Sequence, residues 1–156
     1  MRLDHLAYRV RDKEEAADFL SMFLNYSIAK EFNIELEDGS VISSIAMKCE
    51  GEPDIFVSSG PPGSVIDDWV TSHGGGGIHH IAYAVKSVKK AMDFWRKEHG
   101  LDFTTDEPIV GQYLTQAFTK PIISTGIIYE LIERAEGMLG FEPENVKKLM
   151  KSTKGL

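Results

Sequence analysis

Cysteine is nearly absent: Cys49 is the only one in 156 residues, so no disulfide can form within the chain. A lone thiol suits a reducing compartment, and Cys49 reads as a small packed residue at a strand rather than a redox centre. Long apolar runs are also missing. No stretch approaches the roughly 20 residues a helix needs to cross a bilayer, which argues against a membrane partner. The opening MRLDHLAYRV does not have the charged-then-apolar layout of an export signal. These features together predict a cytoplasmic protein. Basic residues are in deficit, 17 Lys and Arg against 24 Asp and Glu, for a formal net charge of −7. An acidic chain offers no electrostatic footprint for a phosphate backbone, which argues against nucleic acid as a partner. What remains is ordinary globular composition, 42% hydrophobic and 26% charged, in a length suited to one domain or two small fused halves.

The chain repeats itself. Asp4-His5-Leu6-Ala7-Tyr8-Arg9-Val10 matches His79-His80-Ile81-Ala82-Tyr83-Ala84-Val85 at a constant offset of 75, and Ala16, Asp18 and Phe19 then line up with Ala91, Asp93 and Phe94. Such self-similarity marks two copies of one supersecondary unit. Each copy opens with an alternating strand, 3–10 and 78–85. A helix follows, capped by Asp12 in the first copy and Ser87 in the second. Apolar stripes through Ala16, Phe19, Leu20, Phe23 and Leu24, and through Val88, Ala91, Met92 and Trp95, give each helix a packing face. Phe19, Phe23, Phe94 and Trp95 are accordingly expected in the core. Three further strands per copy are expected near 27–36, 40–49 and 54–59, then 101–105, 113–119 and 126–134. Between the copies, a helix through Ile66, Trp69 and Val70 precedes Gly74-Gly75-Gly76-Gly77, which reads as a flexible linker. Without the Lys-Ser/Thr of a phosphate loop, and preceding a strand, it is not a nucleotide cradle.

The expected fold is therefore α+β: two tandem βαβββ modules forming a half-open barrel around a metal site, followed by a C-terminal helix. One domain spans 1–156, with module one at 1–60, a linker helix at 61–76, module two at 77–135 and the final helix at 141–153. Alternation along the strands puts His5, Ala7 and Arg9 on one face of the first, and His80, Ala82 and Ala84 on the same face of its repeat. In the last strand, Glu130 shares a face with Ile128 and Ile132. A carboxylate among such neighbours is costly unless paired or bound to a cation. Two imidazoles and a carboxylate make a facial triad, suited to Fe(II), Mn, Co or Zn. The predicted metal ligands are thus His5, His80 and Glu130. His79 is the rival imidazole, placed by parity on the packed face, and Glu133 has the wrong parity. His73 and His99 read as solvated. By the repeat, Asp54 falls opposite Glu130. Arg9 faces the same side as His5 and is a candidate for binding a carboxylate.

Asp4-His5-Leu6-Ala7, Ile78-His79-His80-Ile81-Ala82 and Tyr129-Glu130-Leu131 resemble the vicinal-oxygen-chelate superfamily, which includes glyoxalases, methylmalonyl-CoA epimerases, bleomycin resistance proteins and ring-cleaving dioxygenases. Ser44-Ile45-Ala46-Met47, Gln116-Ala117-Phe118-Thr119-Lys120-Pro121, Glu130-Leu131-Ile132-Glu133-Arg134, and Gly140-Phe141 leading to Asn145-Val146-Lys147-Lys148-Leu149 are most similar to the catalytic half of 4-hydroxyphenylpyruvate dioxygenases. The resemblance implies one divalent ion, Fe(II) before Zn, Co, Mn or Ni, a 2-oxo acid or other small carboxylate as substrate, and a C-terminal helix near Phe141 that closes the site. It makes Glu130 both ligand and candidate catalytic residue. His79 stands where those dioxygenases have glutamine, and Ser58 stands near the place of an asparagine. The alternative reading is an isomerase or lyase like methylmalonyl-CoA epimerase or glyoxalase I, and that resemblance implies a fourth metal ligand on the last strand of the first copy, a part Asp54 could take. Against it, Ser43 and Ser44 occupy the place where the epimerase has a basic glutamate. A third reading is a non-catalytic drug-binding protein. Pairing into a homodimer is common in the superfamily.

Overall fold

The computed structural model describes residues 1–136 and 140–156. By its contacts the chain divides into two compact units. One is His5–His79 with Gly155; the other is Met1–Asp4, His80–Lys154 and Leu156. Among the described residues no helix is long and apolar enough to cross a membrane.

Module one runs β1 (Arg2–Val10), α1 (Lys13–Leu24), β2 (Ser27–Glu35), β3 (Val41–Lys48) and β4 (Asp54–Ser59). Strand β1 pairs parallel with β4, β4 antiparallel with β3, and β3 antiparallel with β2. A parallel pair needs a long crossover, which α1, β2 and β3 together supply. The Asp12 carboxylate accepts from the Glu15 N–H and starts α1; Asn25, in left-handed conformation, ends it. Helix α1 buries Ala17 and Leu20 against Tyr26, Ile45, Met47, Ile55 and Val57, with Tyr8, Val10 and Cys49 alongside. Phe19 and Phe23, expected in this core, are instead 55% and 64% exposed. The helix is apolar most of the way round between Phe19 and Leu24, so periodicity alone could not select the packed face.

Module two repeats the plan: β5 (Gly76–Ala84), α3 (Val88–His99), β6 (Ile109–Val110), β7 (Leu114–Phe118) and β8 (Ile128–Arg134). Strand β5 pairs parallel with β8, and β7 is antiparallel to both β8 and β6. The Ser87 hydroxyl accepts from the Lys90 N–H and caps α3, which buries Val88 and Met92 against Phe103, Ala117 and Leu131. Trp95 packs there too, while Phe94 is exposed.

One strand moved. Residues 101–105 do not form a strand: Phe103 makes only an isolated bridge to Thr119, and the ladder partner of β7 is β6. The backbone bonds of this segment are Thr104 N–H to the Phe118 carbonyl and Lys120 N–H to the Asp102 carbonyl. Beyond it, the Arg96 guanidinium of α3 donates to the carbonyls of Thr105 and Asp106, at 2.9 and 2.7 Å.

Helix α2 (Val65–Ser72), capped by Ser64, follows module one. The glycines after it are more than a linker. The Gly75 N–H donates to the Val70 carbonyl, and Gly76 and Gly77 already belong to β5. At Gly76 (φ +122°) a Cβ would lie 2.6 Å from the Arg9 carbonyl oxygen. Only glycine tolerates both that conformation and that approach. The chain closes with α4 (Pro143–Ser152), Pro143 sitting at its first turn.

Candidate functional site

In module two the polar groups meet on the face of β5, β7 and β8 opposite α3. Leu131 packs under α3, so its neighbours Glu130 and Ile132 point away from it. Glu130 is 1% exposed. Its Oε2 lies 3.2 Å from His80 Nε2, and its Oε1 accepts from Gln116 Nε2 at 2.6 Å. Gln116 Oε1 in turn accepts from Asn145 Nδ2 of α4 at 3.2 Å, and the same amide donates to the Leu114 carbonyl. A continuous chain of bonds therefore runs from α4 to the carboxylate. Phe118, cross-strand partner of Glu130, lays its ring 4.7 Å from the His80 imidazole.

Helix α4 is held at its start by a second device. The Glu142 carboxylate accepts the backbone N–H groups of Gln112, Tyr113 and Leu114. These bonds pull its pKa below the ordinary value. Gly111 leaves room beneath it: a Cβ there would meet the Glu142 carboxylate, which would have to shift. Arg134 adds a clamp: it pairs with Asp4 at 2.8 Å, donates to the Gly140 carbonyl and lies over Phe141.

In module one, His5 is fully buried on the face of β1 away from α1, its ring edge-on to Phe56 at 5.0 Å. The ladders correct the place of Asp54. Glu130 pairs with Ala82, and the matching pair in module one is Ala7 with Phe56. The repeat counterpart of Glu130 is thus Phe56, which has no donor atom. Asp54 stands at the strand start, its carboxylate taken by Lys48 at 2.8 and 3.1 Å. Ser44 is buried and shares a 2.6 Å hydrogen bond with Ser58. His79 is buried edge-on to Trp69 at 5.3 Å, and His73 stacks on that same indole at 4.1 Å. Glu133 accepts from the Val88 N–H at the start of α3, away from His80.

The His80–Glu130 pair fits a metal ion. His80 Nε2 and Glu130 Oε2, 3.2 Å apart, are a nitrogen and an oxygen donor near enough to be ligands of one ion. One carboxylate oxygen faces the imidazole and the other is fixed by an amide, the arrangement expected of an oriented ligand. Gln116 and Asn145 escaped the sequence reading as functional residues. Their signal was present: each is a polar residue in an apolar register, Gln116 between Leu114 and Phe118, Asn145 one turn before buried Leu149.

Comparisons extend this picture. A variant of 4-hydroxymandelate synthase from Streptomyces coelicolor superposes with a TM-score of 0.82 at 20% identity, covering 98% of this chain and 53% of that one. This chain therefore spans about half the length of that enzyme. Methylmalonyl-CoA epimerase from Mycobacterium tuberculosis gives 0.66 at 23% identity, covering 86% of this chain and 88% of that one. A hypothetical protein from Bacillus halodurans gives 0.70 at 26% identity, covering 89% and 98%. No curated protein matches the sequence. The family model of the glyoxalase/bleomycin resistance protein/dioxygenase superfamily matches residues 4–118. With most of its length matched by that model and a fold shared with solved structures, the chain belongs to the glyoxalase/bleomycin resistance protein/dioxygenase superfamily.

Proposed function

We propose that the protein is a metal-dependent enzyme in which His5, His80 and Glu130 hold one divalent ion, Fe(II) in the favoured case, and that it acts as a dioxygenase on a 2-oxo acid. The observation that carries the reading is half-buried His80 set against buried Glu130, with Gln116 bonded behind the carboxylate. His5 joins it through the repeat, as the equivalent imidazole of module one. When bound, such an ion supplies Lewis acidity toward two vicinal oxygens and, as Fe(II), a site for dioxygen.

The chain's own residues do the rest. Gln116 holds Glu130 so that one oxygen stays directed at the His80 side. Phe118 and Phe56 flank the two imidazoles with apolar rings and exclude water beside them. Phe56, where a fourth ligand would stand by the repeat, leaves the set at three and so leaves coordination positions for substrate. The same residue bears on the choice of reaction. Module one presents Phe56, Ser44 and Ser58 on this face, and Asp54 is tied to Lys48, so it offers no carboxylate base for proton shuttling.

The second reading is an isomerase or lyase, supported by the likeness to methylmalonyl-CoA epimerase. There Glu130 itself would move the proton. An anaerobic Fe(II) titration with a simple 2-oxo acid separates the two. The dioxygenase reading expects a weak visible charge-transfer band that disappears in Glu130→Ala. Absence of the band, with tight Zn or Co binding instead, selects the isomerase. Full metal occupancy in His80→Ala would sink both, and with them the case against a metal-free binding protein.

A further inference from the structure

Helix α1 turns an apolar face to solvent. Phe19, Met22, Phe23 and Leu24 are each at least half exposed, and so is Ile28 on the adjoining β2. Phe19 and Phe23, one turn apart, hold their ring centres 5.0 Å from each other. Ile28 lies across the ladder from Met47, which belongs to the core under α1, so it points to the helix side of the sheet. The repeat shows that the fold does not need this face. At the offset of 75, Met22, Phe23 and Leu24 correspond to Lys97, Glu98 and His99 of α3, all exposed. The two helices start with a side-chain cap, end in a left-handed residue and bury equivalent positions, 13 and 17 in one, 88 and 92 in the other. Yet α3 closes on charged and polar side chains where α1 closes on apolar ones.

At roughly 200 Å² for a whole side chain of this size, the five leave on the order of 600 Å² in water, the upper end of what a monomer exposes in one patch. Two such faces meeting would bury on the order of 1,200 Å², where specific interfaces begin. The exposed charges of α1, Glu14, Glu15 and Asp18, all sit in its first half, and its last turn carries no basic residue. The apolar half therefore presents no sign for a charged partner to match, and an identical face is its complement. Laid antiparallel across a two-fold axis, two α1 helices join their apolar halves and keep their acidic ends apart.

We propose that this face is a self-association surface: two copies of the chain pair through antiparallel α1 helices, with Phe19, Met22 and Phe23 at the centre and Leu24 and Ile28 at the rim. Tyr8 and Val10 of β1 pack under α1, so His5, of the opposite parity, faces the other way and is not covered by the pairing.

Sedimentation velocity on the full chain across the micromolar range tests the pairing. The wild type sediments with the mass of two chains. The double variant Met22→Lys, Phe23→Glu installs the residues that α3 already carries at the equivalent positions. It weakens association at least about 100-fold while keeping the wild-type circular dichroism and a single cooperative melt. Phe94→Glu, the matching exposed ring on α3, leaves association within about twofold. Hydroxyl-radical footprinting of the wild type needs no variant and decides the matter if the double variant fails to fold. Met22 oxidation falls as the chain is concentrated, while Met1, about equally exposed, keeps its rate. A wild-type chain that stays monomeric throughout overturns the proposal and leaves the face to a different protein. A pair that survives in the folded double variant, or in which Met22 stays fully reactive, overturns it too, because the copies then meet elsewhere.

Discussion

Gln116→Leu is the sharpest probe of how the carboxylate is held. The wild-type amide donates a 2.6 Å bond to Glu130 Oε1 and accepts from Asn145. Leucine keeps the volume and removes both bonds. Glu130 is 1% exposed, so the abandoned oxygen has little access to water. Leaving a buried acceptor without its donor costs about 1–3 kcal/mol, or roughly 5- to 150-fold in an equilibrium constant. Loss of an outer partner of a metal ligand commonly costs 10- to 100-fold in affinity, so the two estimates agree. Competition titration with Co(II) and a chelator reads that loss directly, and the cobalt absorption band reports whether the ligand geometry changes. Asn145→Leu should weaken binding less, because Asn145 reaches Glu130 only through Gln116. Unchanged metal affinity in Gln116→Leu would refute the idea that this amide orients the ligand. An equal loss in Asn145→Leu would move the effect to the docking of α4.

Three other outcomes follow from the same geometry. Asp54→Asn should leave metal affinity within about twofold, because Asp54 belongs to Lys48 and its ladder position is not that of Glu130; the same titration checks it. Gly76→Ala combines a φ of +122° with a contact against the Arg9 carbonyl and should cost about 2–3 kcal/mol. Calorimetry would then show a melting point lower by roughly 5–10 °C, and a smaller drop in Gly77→Ala, whose Cβ meets no neighbour within 4 Å. Glu142 has a folded pKa below its ordinary 4.5, so its hold on Gln112–Leu114 is complete above that value and fades as pH falls through the depressed one. The protection of those amides, measured as exchange relative to the intrinsic rate at each pH, should fall on acidification below about pH 4.5. In Glu142→Ala that protection should be low at every pH.

The aromatic assignments on α1 show where sequence reasoning reaches its limit. Phe19, Leu20, Met22, Phe23 and Leu24 wrap the helix in apolar side chains, and either of two faces satisfies a helical period. Only contact with β3 and β4 selects the Ala17–Leu20 face. The shift from 101–105 to β6 is likewise a matter of long-range pairing: only Phe103 bridges to Thr119, and the ladder to β7 forms at Ile109–Val110. Gln116 and Asn145 look unremarkable in one dimension because each needs the other, and Glu130, to be a site.

The α+β class and the tandem βαβββ plan are legible in the chain without coordinates. So is the parity that puts His80 and Glu130 on one face, because a strand's period of two is local and the offset of 75 is visible in the sequence. Ladder register is a long-range property, set by how whole strands pack and pair. Tertiary structure alone therefore decided that Phe56, and not Asp54, mirrors Glu130. It alone tied α4 to that carboxylate through Gln116, and set Ser44, Ser58 and Arg9 side by side across three strands.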